Sequence, residues 1–154
     1  MQVVDGTTPE RLPAARALFE EYAASLAFDL AFQDFERELA GLPGDYAPPR
    51  GRLLLALVGG DAAGCAGLRP FDEPTAELKR MYVRPAHRGS GLGRRLAGAA
   101  IAAAREIGYE RIVLDTVPGM ETAQQLYDSL GFARVPPYRF NPVAGAAFME
   151  LRLR

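Results

Sequence analysis

The chain has 154 residues, 49% hydrophobic and 24% charged, with 18 Lys and Arg against 19 Asp and Glu, for a net charge of −1. That balance excludes wholesale disorder and a broadly basic nucleic-acid binder, and the length is that of one domain, read here as residues 1–154. A lone cysteine, Cys65, and a lone histidine, His87, are too few for an internal disulfide, a His/Cys metal site or a histidine triad beside other His roles. The start, MQVVDGTTPERLPAARALF, lacks a basic, apolar and cleavage-site pattern. The longest apolar stretch, Leu96–Ala104, is far short of the ~20 residues of a membrane helix. The expectation is a cytoplasmic chain with neither membrane nor nucleic acid as partner.

Val3 and Val4 suit an edge strand. Pro9 then opens a helical pattern with Leu12, Ala15, Leu18, Phe19 and Tyr22 on one face. A second helical stretch is expected over 32–42, where Phe35 and Leu39 are four apart. LPGDYAPPRG, from Leu42 to Gly51, reads as a loop. Three strands follow, beginning near Arg52, Ala62 and Ala76, the first two joined by a hairpin turn at Gly59-Gly60-Asp61. From Leu92 to Gly108 the apolar face Leu92, Leu96, Ala99, Ala100, Ala103 and Ile107 marks a helix, with Gly108 where a left-handed cap stands. RIVLDT from Arg111 is a strand. Met120–Leu130 is a helix with Ala123, Leu126, Tyr127 and Leu130 inward, and Gly131 caps it. Two short strands, near 132–135 and 146–153, complete the pattern. The order predicts an α/β or α+β fold, a mixed sheet with helices packed against it.

The chemistry concentrates in AELKRMYVRPAHRGSGLGRRLAGAAIAAARE. A strand ends at Val83, Pro85 stops it, and Gly89-Ser90-Gly91-Leu92-Gly93 runs straight into a helix. Alternating glycines admit positive φ and close ligand approach. The first-turn N–H groups of the helix are free and carry the positive end of its dipole. With Arg88, Arg94 and Arg95 at its mouth, this is a phosphate or pyrophosphate site rather than merely a tight turn. No Lys-Ser or Lys-Thr follows the glycines, which excludes a P-loop. Arg94 stands where a dinucleotide fingerprint needs glycine.

Arg88-Gly89-Ser90-Gly91-Leu92-Gly93 matches the [QR]-x-x-G-x-[GA] signature of the GNAT superfamily of acyl-CoA-dependent N-acetyltransferases. AQQLYDSLGF, Ala123 to Phe132, resembles that superfamily's A-x-x-L-Y-x-x-x-G-F segment. The two stand in the family's order and at its usual distance, and the likeness runs from about Leu53 to Phe132. It implies a mostly antiparallel central sheet whose fourth and fifth strands splay apart, with acetyl-CoA as cosubstrate and no metal. Backbone N–H groups from Gly89 to Arg94 would hold the CoA pyrophosphate, and Met81, Tyr82 and Val83 would pair with the pantetheine arm. Tyr127 aligns with the tyrosine often positioned near the thioester sulfur, where it would protonate the departing thiolate. Met120 stands where many relatives carry Asn, and a thioether replaces neither the donor nor the acceptor of an amide.

An amine acceptor is mostly protonated near neutrality, so attack needs a base. The resemblance points to Glu77, six residues before Val83. The competing reading pairs Glu77 with a nearby arginine or lysine, or leaves it in solvent. Tyr127 has a packing role open to it, because a phenol packs its ring and still presents its hydroxyl. His87 is expected in solvent and Cys65 as a buried small residue. Lys79 and Arg80 are read as a solvated strand face or as attractors of CoA phosphates. The acceptor is expected to be a small amine-bearing molecule, lined by 28–35, Tyr46 and Tyr138-Arg139-Phe140-Asn141-Pro142. A protein acceptor, or a CoA-binding sensor without turnover, is the alternative. AAFMELRL at the end suits an edge strand that pairs in a homodimer.

Overall fold

The computed structural model describes residues 1–26 and 29–154, with the side chains of all of these except 32 and 33. Seven strands form one sheet: β1 (Gln2–Asp5), β2 (Arg52–Val58), β3 (Asp61–Asp72), β4 (Thr75–Val83), β5 (Arg111–Thr116), β6 (Ala133–Val135) and β7 (Ala147–Arg152). Among the described residues four α-helices flank it: α1 (Leu12–Ser25), α2 (Phe35–Ala40), α3 (Leu92–Ile107) and α4 (Glu121–Ser129). The spatial order is β1-β2-β3-β4-β5-β7-β6, and every neighbouring pair is antiparallel except β4 and β5. This is the mixed, mostly antiparallel sheet that the resemblance implies, and its fourth and fifth strands run parallel.

The long meander follows from local chemistry. Val58 pairs with Asp61 across a two-residue turn in which Gly59 and Gly60 have φ of 60° and 89°. A primed turn of that kind matches the twist of its strands and favours glycine at both central positions. Along β4, alternation sends Ala76 and Leu78 into the core beneath α3, with Leu96, Ala100, Ile112, Leu114 and Met149. The opposite face carries a second core, in which Leu18 and Phe19 of α1 pack on Leu53, Leu55 and Cys65.

Two irregularities position the site. β4 and β5 pair only from Thr75 to Glu77 against Arg111 to Val113. Beyond these positions the strands part, while β4 stays paired with β3 on its other side. A bulge also interrupts β4 between the pairs Gly67–Lys79 and Cys65–Tyr82, and Arg80 there has a φ of 59°. The extra residue puts Lys79 and Arg80 together on the face away from α3. Both are buried. The expected solvated strand face is therefore corrected: the bulge turns these cations inward, where carboxylates from other elements receive them.

Two further expectations are corrected. The last strand is not an edge: β7 pairs with β5 on one side and β6 on the other, because β6 returns outside it after α4. The helical stretch expected over 32–42 is divided into a 3-10 turn, Leu30–Gln33, and α2, with Asp34 between them at a φ of 58°. Phe28 and the side chain of Phe32 lie outside the described residues. Among the described residues, no helix is long and apolar enough to cross a membrane.

Candidate active site

The glycine turn delivers what its sequence requires. Gly91 stands at the start of α3 with a φ of 83°, and the helical ladder begins with Arg95 N–H donating to its carbonyl at 3.1 Å. The N–H groups of Leu92, Gly93 and Arg94 precede that first bond and have no acceptor within the helix. Gly91, at the cap position, has no side chain to satisfy them. A Cβ built on Gly89 or Gly91 would meet nothing within 4 Å, so the space above the turn is open. Arg88 braces the turn: its Nε donates to the Val83 carbonyl at 2.9 Å and its guanidinium lies 5.8 Å from the Tyr82 ring centre. Ser90 Oγ donates to the His87 carbonyl at 2.6 Å, and Arg94 donates to Ser129 Oγ at 2.6 Å.

From this turn a groove of about 700 Å³ runs along the end of β4, lined by Met81, Tyr82, Val83, Arg88, Gly89, Gly91, Gly93 and, across from them, Met120. His87, expected in solvent, also lines it. The β4 edge facing the groove is the edge that β5 has left, so its main chain is available to an extended ligand. Open donors at one end and an unpaired strand edge along the side fit a pyrophosphate joined to an amide-bearing arm.

A smaller space of about 40 Å³ adjoins it in the gap between β4 and β5, lined by Leu78, Lys79, Met81, Asp115, Tyr127 and Asn141, among others. It has room for only a few waters. Tyr22, Met81 and Met120 border both spaces. Tyr127 packs against Phe132, with ring centres 5.5 Å apart, and burial raises its hydroxyl above the usual tyrosine range, so it keeps its proton. Packing and presentation at the gap coexist in this one side chain.

Behind the gap lies a chain of buried ion pairs. Arg80 donates to both oxygens of Glu38 at 2.8 Å. Glu38 also faces Arg69 at 3.5 Å and accepts from the Tyr46 hydroxyl at 3.0 Å. Glu77 is fully buried and accepts from Arg69 Nε at 3.1 Å, Tyr138 at 2.7 Å and Arg139 Nη2 at 2.9 Å. Arg139 Nε lies 2.9 Å from the second Glu77 oxygen, but its N–H is misaligned and makes no hydrogen bond. Lys79 Nζ is 4.0 Å from Glu77 and 3.2 Å from Asp115, whose other oxygen accepts from Asn141 at 3.1 Å.

The titration of these groups follows from their partners. Burial works to raise the Asp115 carboxyl, but the Lys79 charge and the Asn141 and Lys79 hydrogen bonds outweigh it and hold it low. Burial likewise opposes Glu38, and Arg80 and Arg69 overcome it. Lys79 is drawn down by burial against the pull of Asp115 and Glu77. Cys65 is buried among apolar groups, which pushes its thiol up and leaves it inert.

The structure thus gathers Tyr138 and Arg139 on Glu77 in a buried cluster behind the gap, sets Asn141 in the lining of the gap, and places Met81 to Val83 with the Arg88–Gly93 turn along the groove. Tyr46, expected in the acceptor lining, is instead core: its ring meets Phe19 edge-on at 5.7 Å. Lys79, Asp115, Arg69 and Glu38 were not singled out as a group. Their signal is a charged residue inside an apolar strand, Lys79 in AELKRMYV and Asp115 in RIVLDT, since such charges are buried only when paired.

A sheet opened between parallel neighbours, with a glycine-lined helix start at the opening, defines the CoA-dependent acyltransferase class. The family model for the acetyltransferase (GNAT) family matches residues 13–132. An uncharacterised N-acetyltransferase of Schizosaccharomyces pombe is 38% identical over 147 residues, covering 94% of this chain and 90% of that protein. An acetyltransferase of GNAT family from Staphylococcus aureus superposes with a TM-score of 0.80 over 99% of both chains at 20% identity. The yncA protein of Salmonella typhimurium, solved with its cofactor acetyl-CoA, gives 0.71 at 25% identity over 100% of this chain and 94% of that one. The chain belongs to the GNAT family and is an N-acetyltransferase, an acyltransferase by class.

Proposed function

We propose that this protein moves the acetyl group of acetyl-CoA directly to the amine of a small acceptor, both bound at once. The observation that carries this reading is that the glycine-lined groove and the charged gap between β4 and β5 share Tyr22, Met81 and Met120 in their lining. Acetyl-CoA would supply a thioester whose carbonyl carbon an amine attacks, with CoA leaving as the thiolate. The N–H groups of Gly89 to Arg94 would hold the pyrophosphate, and the free edge of Met81 to Val83 would hold the arm in extended form. That fixes the thioester at the gap, and orientation of this kind is worth a large share of the barrier.

Tyr127 borders the gap, and that position supports its role as proton donor to the leaving sulfur. The new C–N bond forms as the C–S bond breaks, the sulfur takes the tyrosine proton, and the amine's surplus proton restores the phenol or passes to water. For Glu77, the expected base, its contacts with Arg69, Arg139 and Tyr138 support a positioning role instead, in which it orders the cations behind the acceptor. The test is thioester cleavage with acetyl-CoA over a library of small amines. Acetylated amine and free thiol in equal amounts support the reading. Saturable acetyl-CoA binding with no amine acetylated would make the protein a sensor.

A further inference from the structure

The single histidine of the chain stands beside the glycine turn, at the end of the short 3-10 turn Pro85–His87. Its neighbours Pro85, Ala86, Arg88, Gly89 and Ser90 are all exposed, whereas His87 is half-buried and lines the groove with Gly89 and Gly91. The main chain holds it there: its N–H donates to the Arg84 carbonyl at 2.9 Å, and its carbonyl accepts from Ser90 Oγ at 2.6 Å. The imidazole itself has no hydrogen-bond or ion-pair partner among the described residues. Neither ring nitrogen is a buried atom left without a partner, so both open on the groove or on solvent.

The charges lining this groove have one sign. Arg88 and Arg94 line it, and no carboxylate does. Both arginines spend donors on the protein, Arg88 on the Val83 carbonyl and Arg94 on Ser129. Arg95, next on α3, is exposed. Arg84 is taken by Glu21 of α1 at 2.7 Å, and the Tyr82 hydroxyl faces the same carboxylate. Arg84 holds Glu21 low and ionised, while burial pushes the Tyr82 and Tyr22 phenols up and keeps them protonated. Of the groups around this part of the groove, an imidazole is the one whose charge changes between pH 5 and 8.

We infer that His87 is a phosphate-binding residue of the groove, which meets the pyrophosphate of CoA as an imidazolium. The inference rests on the acetyl-transfer reading and adds a charged side chain to the main-chain donors at the start of α3. Two negative charges brought beside an imidazole favour its protonated form, so binding draws a proton from solvent onto the ring. The main-chain donors act at every pH. His87 adds an increment that is complete where the ring is charged in the free protein and fades as pH rises.

The test is calorimetric titration with acetyl-CoA and with dephospho-CoA, from pH 5.5 to 8.5, in buffers of different ionisation heat. Dephospho-CoA keeps the pyrophosphate but lacks the 3′-phosphate monoester, whose own titration at about 6 falls in the same range. Near pH 7 binding should take up about half a proton per site, and affinity for dephospho-CoA should weaken about tenfold from pH 5.5 to 8.5. His87→Gln should lose both effects, binding like the parent at pH 8.5 and about tenfold more weakly at pH 5.5. His87→Lys keeps a charge throughout and should bind tightly at pH 8.5 as well. Proton uptake that persists in His87→Gln, or a loss of affinity equal at every pH, would overturn the inference, and so would uptake seen with acetyl-CoA but not with dephospho-CoA. Acetyl-CoA binding without proton uptake overturns this inference alone, whereas no binding at any pH overturns the cofactor reading beneath it.

Discussion

The ammonium of Lys79 stands 3.2 Å from the carboxylate of Asp115, across the place where β4 and β5 have already parted. No backbone hydrogen bonds join the two strands at this level, so the ion pair spans the gap in their place. Both side chains are almost wholly buried. The same pair closes the far end of the groove that begins at the glycine turn, which ties the stability of the opened sheet to the chemistry proposed in it.

Acid should unfold the protein through these pairs. Asp115 and Glu38 are both held below their ordinary values, so their stabilisation is complete above the ordinary carboxylate pKa of about 4. It drains away as pH falls from there through the lower folded-state values. Protonation leaves Lys79 and Arg80 buried without their counter-charges. Urea midpoints should be level from pH 7 to about 5 and drop steeply below about 4. A midpoint level down to pH 3 would refute the coupling.

Glu77→Gln tests the role of the most buried carboxylate. Removing one partner of a buried, hydrogen-bonded charge set costs about 3–5 kcal/mol, read as a lowered urea midpoint at unchanged slope. As a positioning residue, Glu77 affects turnover without shaping its pH dependence, so the rate should fall while its rise with pH persists. Loss of that rising limb in the variant, with stability intact, would make Glu77 the base after all.

Tyr127→Phe separates the phenol's ring from its hydroxyl. The ring contact with Phe132 survives, so thermal stability should change little. The kcat should fall about tenfold with the acetyl-CoA KM nearly constant, less than a typical acid's worth because the thiolate leaves readily. An unaltered kcat would reduce Tyr127 to packing.

Gly67→Ala probes how the loop before β2 is fastened to the site. A Cβ on Gly67 would lie 2.5 Å from the Tyr46 ring, whose hydroxyl holds Glu38. The ring must move, and overpacking of that kind costs about 1–3 kcal/mol. Its displacement should also weaken the Glu38–Arg80 pair and steepen the acid unfolding described above. A variant as stable as the parent would show that the ring yields without cost.

The sequence announces one half of the site far more clearly than the other. The Arg88–Gly93 turn, α3 and the inward face of α4 are local patterns, and each stands where its spacing indicates. The charged cluster is assembled from α2, β3, β4, β5 and the loop before β7, with partners up to 62 positions apart. No periodicity carries such pairing. The inward turn of both Lys79 and Arg80 depends on a bulge, and alternation alone assigns adjacent residues to opposite faces. The position of β7 was likewise hidden, because a final apolar strand reads the same whether it ends a sheet or is enclosed by a three-residue neighbour.

The central claim is that acetyl-CoA binds with its pyrophosphate on the open N–H groups at the start of α3. Calorimetric titration of the protein with acetyl-CoA tests it most directly, alongside Gly91→Glu, which puts a side chain and a negative charge over those donors. Saturable binding at one site per chain, lost in the variant while its circular dichroism stays native, is the result predicted. No heat with the unmodified protein, or equal affinity in the folded variant, would contradict it.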